Sequence, residues 1–151
     1  MHTSTANRES RLSCWLRVRE FAVPPSMIET ATVRRRAGDW AGACAAAGVD
    51  VDLNPRALAR THGSETAAQV RADLRHLAPD LLRWHMPRIA PDGLLRPGLT
   101  IALARYDGGD LQLVVRTPPA WAGSGQRISL ALWDGSRAAA RRHPHPHPDR
   151  R

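Results

Sequence analysis

Lysine is missing from this chain: all 22 basic side chains are arginine, set against 14 acidic ones. A GC-rich genome imposes such a bias through codon usage, so the preference is no sign of phosphate recognition. Aromatic residues are also few, with one Phe, one Tyr and five Trp. A groove that stacks successive nucleic-acid bases on rings is therefore not expected. The two cysteines, Cys14 and Cys44, stand thirty residues apart. That spacing supports neither a disulfide framework nor a CxxC site, and it fits a reducing, cytoplasmic compartment. No apolar run reaches the ~18 residues of a membrane span. LSCWLRVREFAVPP is broken by Arg17, Arg19 and Glu20 and is not expected to act as a signal core.

What is present is enough for one core-forming domain: 151 residues, 42% of them hydrophobic. The formal charge of +8 points toward an anionic partner only if it is concentrated. It is spread instead, with residues 1–26 contributing +2, residues 27–137 +3 and residues 138–151 +3. Within the body Arg and acid alternate, and only Arg34, Arg35 and Arg36 form a basic run. On a helix these three fan out over about 200°, which suits a solvated face better than one binding edge. No specific nucleic-acid partner is expected.

Residues 1–26 end in Pro24-Pro25 and show no sustained period, so they are expected to be a disordered extension. Met27 would serve as an alternative translation start. Ser26 and Glu29 have the spacing of a capping box, predicting a helix from about Met27. Ala31, Val33, Ala37, Trp40, Ala41, Cys44 and Ala47 then recur at three and four. Gly38-Asp39 divides this run into a helix-turn-helix with Asp39 capping the second piece, and Gly48 ends it. AGDWAGACAAAG is similar to the second-helix start of a tetratricopeptide unit, but no repeat of about 34 residues follows.

DVDL (50–53) reads as a connector. Asn54-Pro55 opens a short helix closed by Gly63, and Ser64 caps the next. There Ala67, Val70, Leu74, Leu77, Leu81 and Trp84 form one seam across Pro79, where a break is expected before the helix stops ahead of Pro87. TIALARY (100–106) and LQLVVRT (111–117) flank DGGD and predict a hairpin; RISLALW (127–133) predicts a third strand. The expected fold is α+β, with helices over about 27–86 followed by a three-stranded antiparallel meander over about 99–133. Residues 27–137 form the domain and 138–151 a disordered Arg/His/Pro-rich tail. A meander of three strands leaves two open edges, a route to a protein partner or a second copy.

Candidate chemistry is sparse. His143, His145 and His147 each precede a proline, so the tail is expected to be polyproline-like, with rings two positions apart turned by about 120° and unable to share one ion. His76, Asp80 and His85 invite an acid–base reading, but Pro79 separates His76 from Asp80, and helix-dipole roles suit Asp80 and His85. His62, beside Gly63, reads as a helix C-terminus. Asp107 and Asp110 lack the ligand spacing of a calcium loop. GSG (123–125) lacks a strand-to-helix setting, and Ser129 and Ser136 lack GxSxG. No catalytic, cofactor-binding or metal-binding residue is assigned. Trp40, Trp84 and Trp133 read as core or interface anchors, while Trp121, in a Pro/Gly loop, is the candidate protein-binding residue.

Three stretches, RRRAGDWAGACAAAGVDVDL, DLRHLAPDLLRWHMPR and HPHPHPDRR, resemble uncharacterised proteins of GC-rich actinobacteria. The likeness covers much of residues 33–151 and implies no activity or cofactor. It implies that such chains run on past the histidines, which would make HPHPHPD an interior loop and this chain a fragment. The expected function is a non-catalytic cytoplasmic protein-binding module. The alternatives are a fragment of an enzyme using His76, Asp80 and His85, and a weak nucleic-acid binder acting through its basic termini.

Overall fold

Pro24-Pro25, hostile to a helix interior, is well suited to a helix start, and it joins two helices in the computed structural model, which describes residues 3–89, 93–121 and 126–135. Helix α1 spans Thr3–Ala22, so the stretch expected to be disordered is helical over most of its length. It is tied down at its end: Val23 is buried and Arg19 Nε donates to the Trp84 carbonyl at 3.1 Å. Helix α2 (Pro25–Arg36) is opened by the prolines, and the expected Ser26–Glu29 capping box does not form. Pro24 takes the cap position, and the Ser26 carbonyl accepts a bond from the Thr30 hydroxyl instead.

The break at Gly38-Asp39 is present as expected. Helix α3 (Trp40–Ala46) begins with Asp39 accepting from the Gly42 amide at 2.9 Å, which satisfies one of the orphan donors of the first turn. Gly48 follows in the left-handed region at φ 67°. DVDL is not a connector: strand β1 (Val49–Asp52) runs through it, with Val49 buried and Asp50 and Asp52 exposed. Asn54 caps α4 (Pro55–His62) through the Arg56 and Ala57 amides. Ser64 is not a cap, because Gly63 holds that position before α5 (Ser64–His76).

Pro79 breaks the seam and opens α6 (Pro79–His85). The break also changes which face is inward. Ala67, Val70 and Leu74 are buried, but after the extended residues Leu77 and Ala78 the inward positions become Asp80 and Arg83, and Leu81 is 56% exposed. An extended residue between helices resets the rotational phase that a continuous helix would have kept.

Strands β2 (Arg88–Ile89) and β3 (Leu94–Leu95) form a small antiparallel ribbon. Strand β4 (Thr100–Tyr106), β5 (Leu111–Arg116) and β6 (Ile128–Asp134) make the expected antiparallel meander, turning at Asp107–Gly109. The sheet has a fourth strand, however. β1 pairs parallel to β6, giving the order β1-β6-β5-β4. The fold class α+β holds, but the sheet is mixed and one of its strands lies among the helices. The β6 edge, expected to be open, is occupied by β1.

One sheet face, with Leu111, Leu113, Val115, Ile128 and Leu130, packs with Cys44, Leu58, Ala67, Val70 and Leu74 into the core. Trp40 packs against this core, and Trp84 and Trp133 are half-buried. Among the described residues no helix is long and apolar enough to cross a membrane. The His/Pro tail, Ser136 and the GSG of residues 123–125 lie outside the described residues.

Cys44 is buried and Cys14 exposed. Burial pushes the Cys44 thiol up to about 11, so it stays protonated where a thiol reagent needs the thiolate. With excess iodoacetamide at pH 8, the native chain is expected to take one adduct, at Cys14, and the urea-unfolded chain two. Mass spectrometry reads the count, and rapid native labelling of Cys44 would contradict the packing.

Candidate functional site

The trio His76, Asp80 and His85 is not assembled. His76 is exposed, with Nδ1 2.7 Å from the Ala72 carbonyl oxygen one turn back, and His85 is exposed. Asp80 is buried, its Oδ1 without a hydrogen-bond partner among the described residues. No ion pair links the three. The phase reset at Pro79 turns Asp80 inward while leaving both imidazoles in solvent.

A different histidine meets carboxylates. His62, ending α4, has Nδ1 at 3.3 Å from Asp107 Oδ2 and Nε2 at 3.4 Å from Asp134 Oδ2. The Thr66 hydroxyl donates to Asp107 Oδ1 at 2.9 Å. Asp107 sits at φ 52°, in the left-handed region, a conformation that Asp tolerates better than most side chains. These contacts clamp the β4–β5 turn and the end of β6 onto α4 and α5. Beside them is a recess of about 290 Å³ with Asp52 and Asp134 on its wall. The nearby hydroxyl of Thr66 is engaged with a carboxylate rather than with the imidazole, so no nucleophile–base pair is formed. Sequence spacing could not reveal this grouping, since its members lie on four separate elements.

The sequence-assigned residue Trp121 is 87% exposed. Its loop leaves β5 beside the entry to β4: Gly98 N donates to the Pro118 carbonyl and Thr117 N to the Leu99 carbonyl, both at 3.0 Å. The loop that carries Trp121 therefore passes the start of β4, which among the described residues pairs with a strand on one side only. β4 has a register irregularity between Ala102 and Ala104, and Leu103 there is 37% exposed. Such bulges and an exposed Arg105 blunt an edge against indiscriminate pairing without covering it. Residues 93–106 and 111–121 contain Arg96, Arg105 and Arg116 and no acidic residue, and none of the three arginines is in an ion pair among the described residues.

The remaining site was not foreseen. α1, α6 and the β2–β3 ribbon border an open cavity of about 400 Å³ whose wall includes Arg17, Phe21, Arg83, Arg88 and Leu94. Arg83 and Arg88 are only 8% and 7% exposed. Arg83 donates from Nε to the Ala22 carbonyl at 3.2 Å and from Nη1 to the Gln126 carbonyl at 2.6 Å. Arg88 donates from Nη1 to the Gly93 carbonyl at 3.1 Å and from Nη2 to the Arg83 carbonyl at 2.8 Å; its buried Nε has no acceptor among the described residues. Gly93 has φ 67°, and a Cβ there would lie 2.2 Å from Val18 Cγ1, so α1 can approach the ribbon this closely only over a glycine. Burial, followed by repulsion from Arg83 and Arg19, pulls Arg88 down to about 10; burial, then Arg127, lowers Arg83. Nothing in a chain with 22 arginines marks these two from the rest. No protein-family model, curated protein or solved structure matches the chain.

Proposed function

We propose that the protein is a non-catalytic interaction module that takes an extended, acidic segment of a partner protein along β4, with Trp121 as its apolar anchor. The observation that supports this reading most directly is that β4 has no outer strand partner among the described residues, while Trp121, in the loop that passes its start, is nearly fully exposed. An edge strand supplies main-chain donors and acceptors in a row, the basis of strand addition. A large exposed Trp contributes the anchoring area that such contacts lack. Arg96, Arg105 and Arg116, none of them in an ion pair among the described residues, favour acidic side chains away from the turn that carries Asp107 and Asp110.

Selection on the immobilised full chain from a random twelve-residue peptide library tests the reading. Enriched peptides are expected to alternate acidic and apolar residues and to protect the amides of Thr100–Tyr106 from hydrogen exchange. Trp121→Ala is expected to weaken their binding by about tenfold or more, as removal of a central aromatic anchor does. Three outcomes would overturn the reading: no enriched peptide, binding indifferent to Trp121, or β4 amides protected only by a self-dimer or by random-sequence DNA.

A further inference from the structure

Two guanidinium groups buried together, with neither paired to a carboxylate among the described residues, are an energetic anomaly. Taking a charge out of water is costly unless it is paired, and two like charges in one region add repulsion. Each guanidinium has five N–H donors, of which Arg83 and Arg88 each place two on backbone carbonyls. Neither forms an ion pair among the described residues. The carbonyl bonds hold both planes in place, and the Arg88 Nε donor is left unanswered among the described residues. Such a pair is poised to receive a group that brings negative charge and several acceptors at once.

We propose that the cavity between α1, α6 and the β2–β3 ribbon binds a small organic oxyanion, a carboxylate or phosphate carried on an apolar body. Arg83 and Arg88 face the oxyanion from the interior, Arg17 closes on it from α1, and Phe21 with Leu94 receives the apolar part. The dimensions fit, because a cavity of about 400 Å³ lies within the range of pockets that enclose small ligands. The chemistry of the wall fits as well. Phe21 is 90% exposed and Leu94 48% exposed, so both retain apolar surface for a ligand to cover. Planar guanidinium forks match the paired oxygens of carboxylate and phosphate. This inference is independent of the β4 reading, since the two sites share no residue.

Titration of the full-length protein with phenyl phosphate and with phenylacetate, followed by calorimetry and by arginine side-chain Nε–H NMR, decides it. Saturable binding of at least one probe is expected, accompanied by a shift of the Arg88 Nε–H resonance, which Arg88→Lys identifies by its disappearance. The better of the two probes tells phosphate from carboxylate ligands. Inorganic phosphate should bind more weakly than phenyl phosphate, and benzyl alcohol, which is uncharged, not at all. Arg17→Gln and Phe21→Ala alter exposed side chains and should leave the fold intact. The first should weaken binding about tenfold, the scale of one charge-assisted hydrogen bond. The second should erase the advantage of phenyl phosphate over inorganic phosphate. The proposal fails if neither probe binds, if benzyl alcohol binds as well as the anions, or if binding survives both substitutions undiminished.

Discussion

Leu130→Ala is expected to lower the unfolding free energy by about 3–5 kcal/mol, the range for removing a fully buried leucine from a core that cannot collapse around the gap. Leu130 is 0% exposed. It lies on β6, opposite Val51 of β1 on one side and Val115 of β5 on the other. If β6 ended the sheet, as a three-stranded meander requires, its neighbours on one side could relax toward solvent. With β1 paired alongside, both flanks are held by hydrogen-bonded strands and the cavity persists. Leu103→Ala on the outer strand β4 is the control, expected to cost less than about 1 kcal/mol because that side chain already meets water. Urea denaturation at unchanged m-value measures both. Equal, small losses at the two positions would contradict the four-stranded order.

Alkaline pH is expected to weaken the fold from about pH 9 upward, through two buried groups that resist ionisation. Burial raises the Cys44 thiol from 9.0 to about 11. Tyr106 is raised above its ordinary value of 10.0 by burial and then by its hydroxyl donating to the Asp73 carboxylate at 2.5 Å. Both pKa values are higher in the folded chain than in the unfolded one. Their stabilising contribution is therefore complete below the unfolded values and is lost as pH rises through the folded ones. For Cys44 the loss reaches about 2 kcal/mol at pH 11. Arg88, lowered to about 10, acts in the opposite sense, since its deprotonation relieves a buried charge. Substitution separates the contributions: Cys44→Ala with Tyr106→Phe should flatten the fall in urea midpoint between pH 8 and 10.5. A double variant with the wild-type slope would remove these groups as its cause.

Most helices were legible because their signals are local. Asp39 and Asn54 cap within three residues of themselves, Pro79 disrupts its own turn, and DGGD makes a reversal from consecutive residues. The misreadings have physical causes of two kinds. Ser26 and Ser64 lost their expected caps to neighbours, where Pro24 and Gly63 already had suitable backbone geometry. VDVD does alternate, but four residues with a parallel partner nearly eighty positions away give no local sign of pairing. α1 was missed because its anchoring is tertiary: Arg19 reaches Trp84, and Val18 sits over Gly93.

Of the candidate-site residues, Trp121 alone was singled out in the sequence, from its Pro/Gly loop, and the structure bears on its exposure only. The sequence by itself determined, to within a residue or two, where α2 to α6 start and stop, together with the hairpin, the α+β class and the buried seam as far as Leu74, all consequences of steric and hydrogen-bonding rules acting over a few residues. Tertiary structure alone decided that β1 closes the β6 edge, that His62 meets Asp107 and Asp134, and that Arg83 and Arg88 turn inward together. Each of these depends on the relative placement of elements far apart in the chain. The last depends besides on a phase shift at Pro79, which the spacing of apolar residues on either side does not encode.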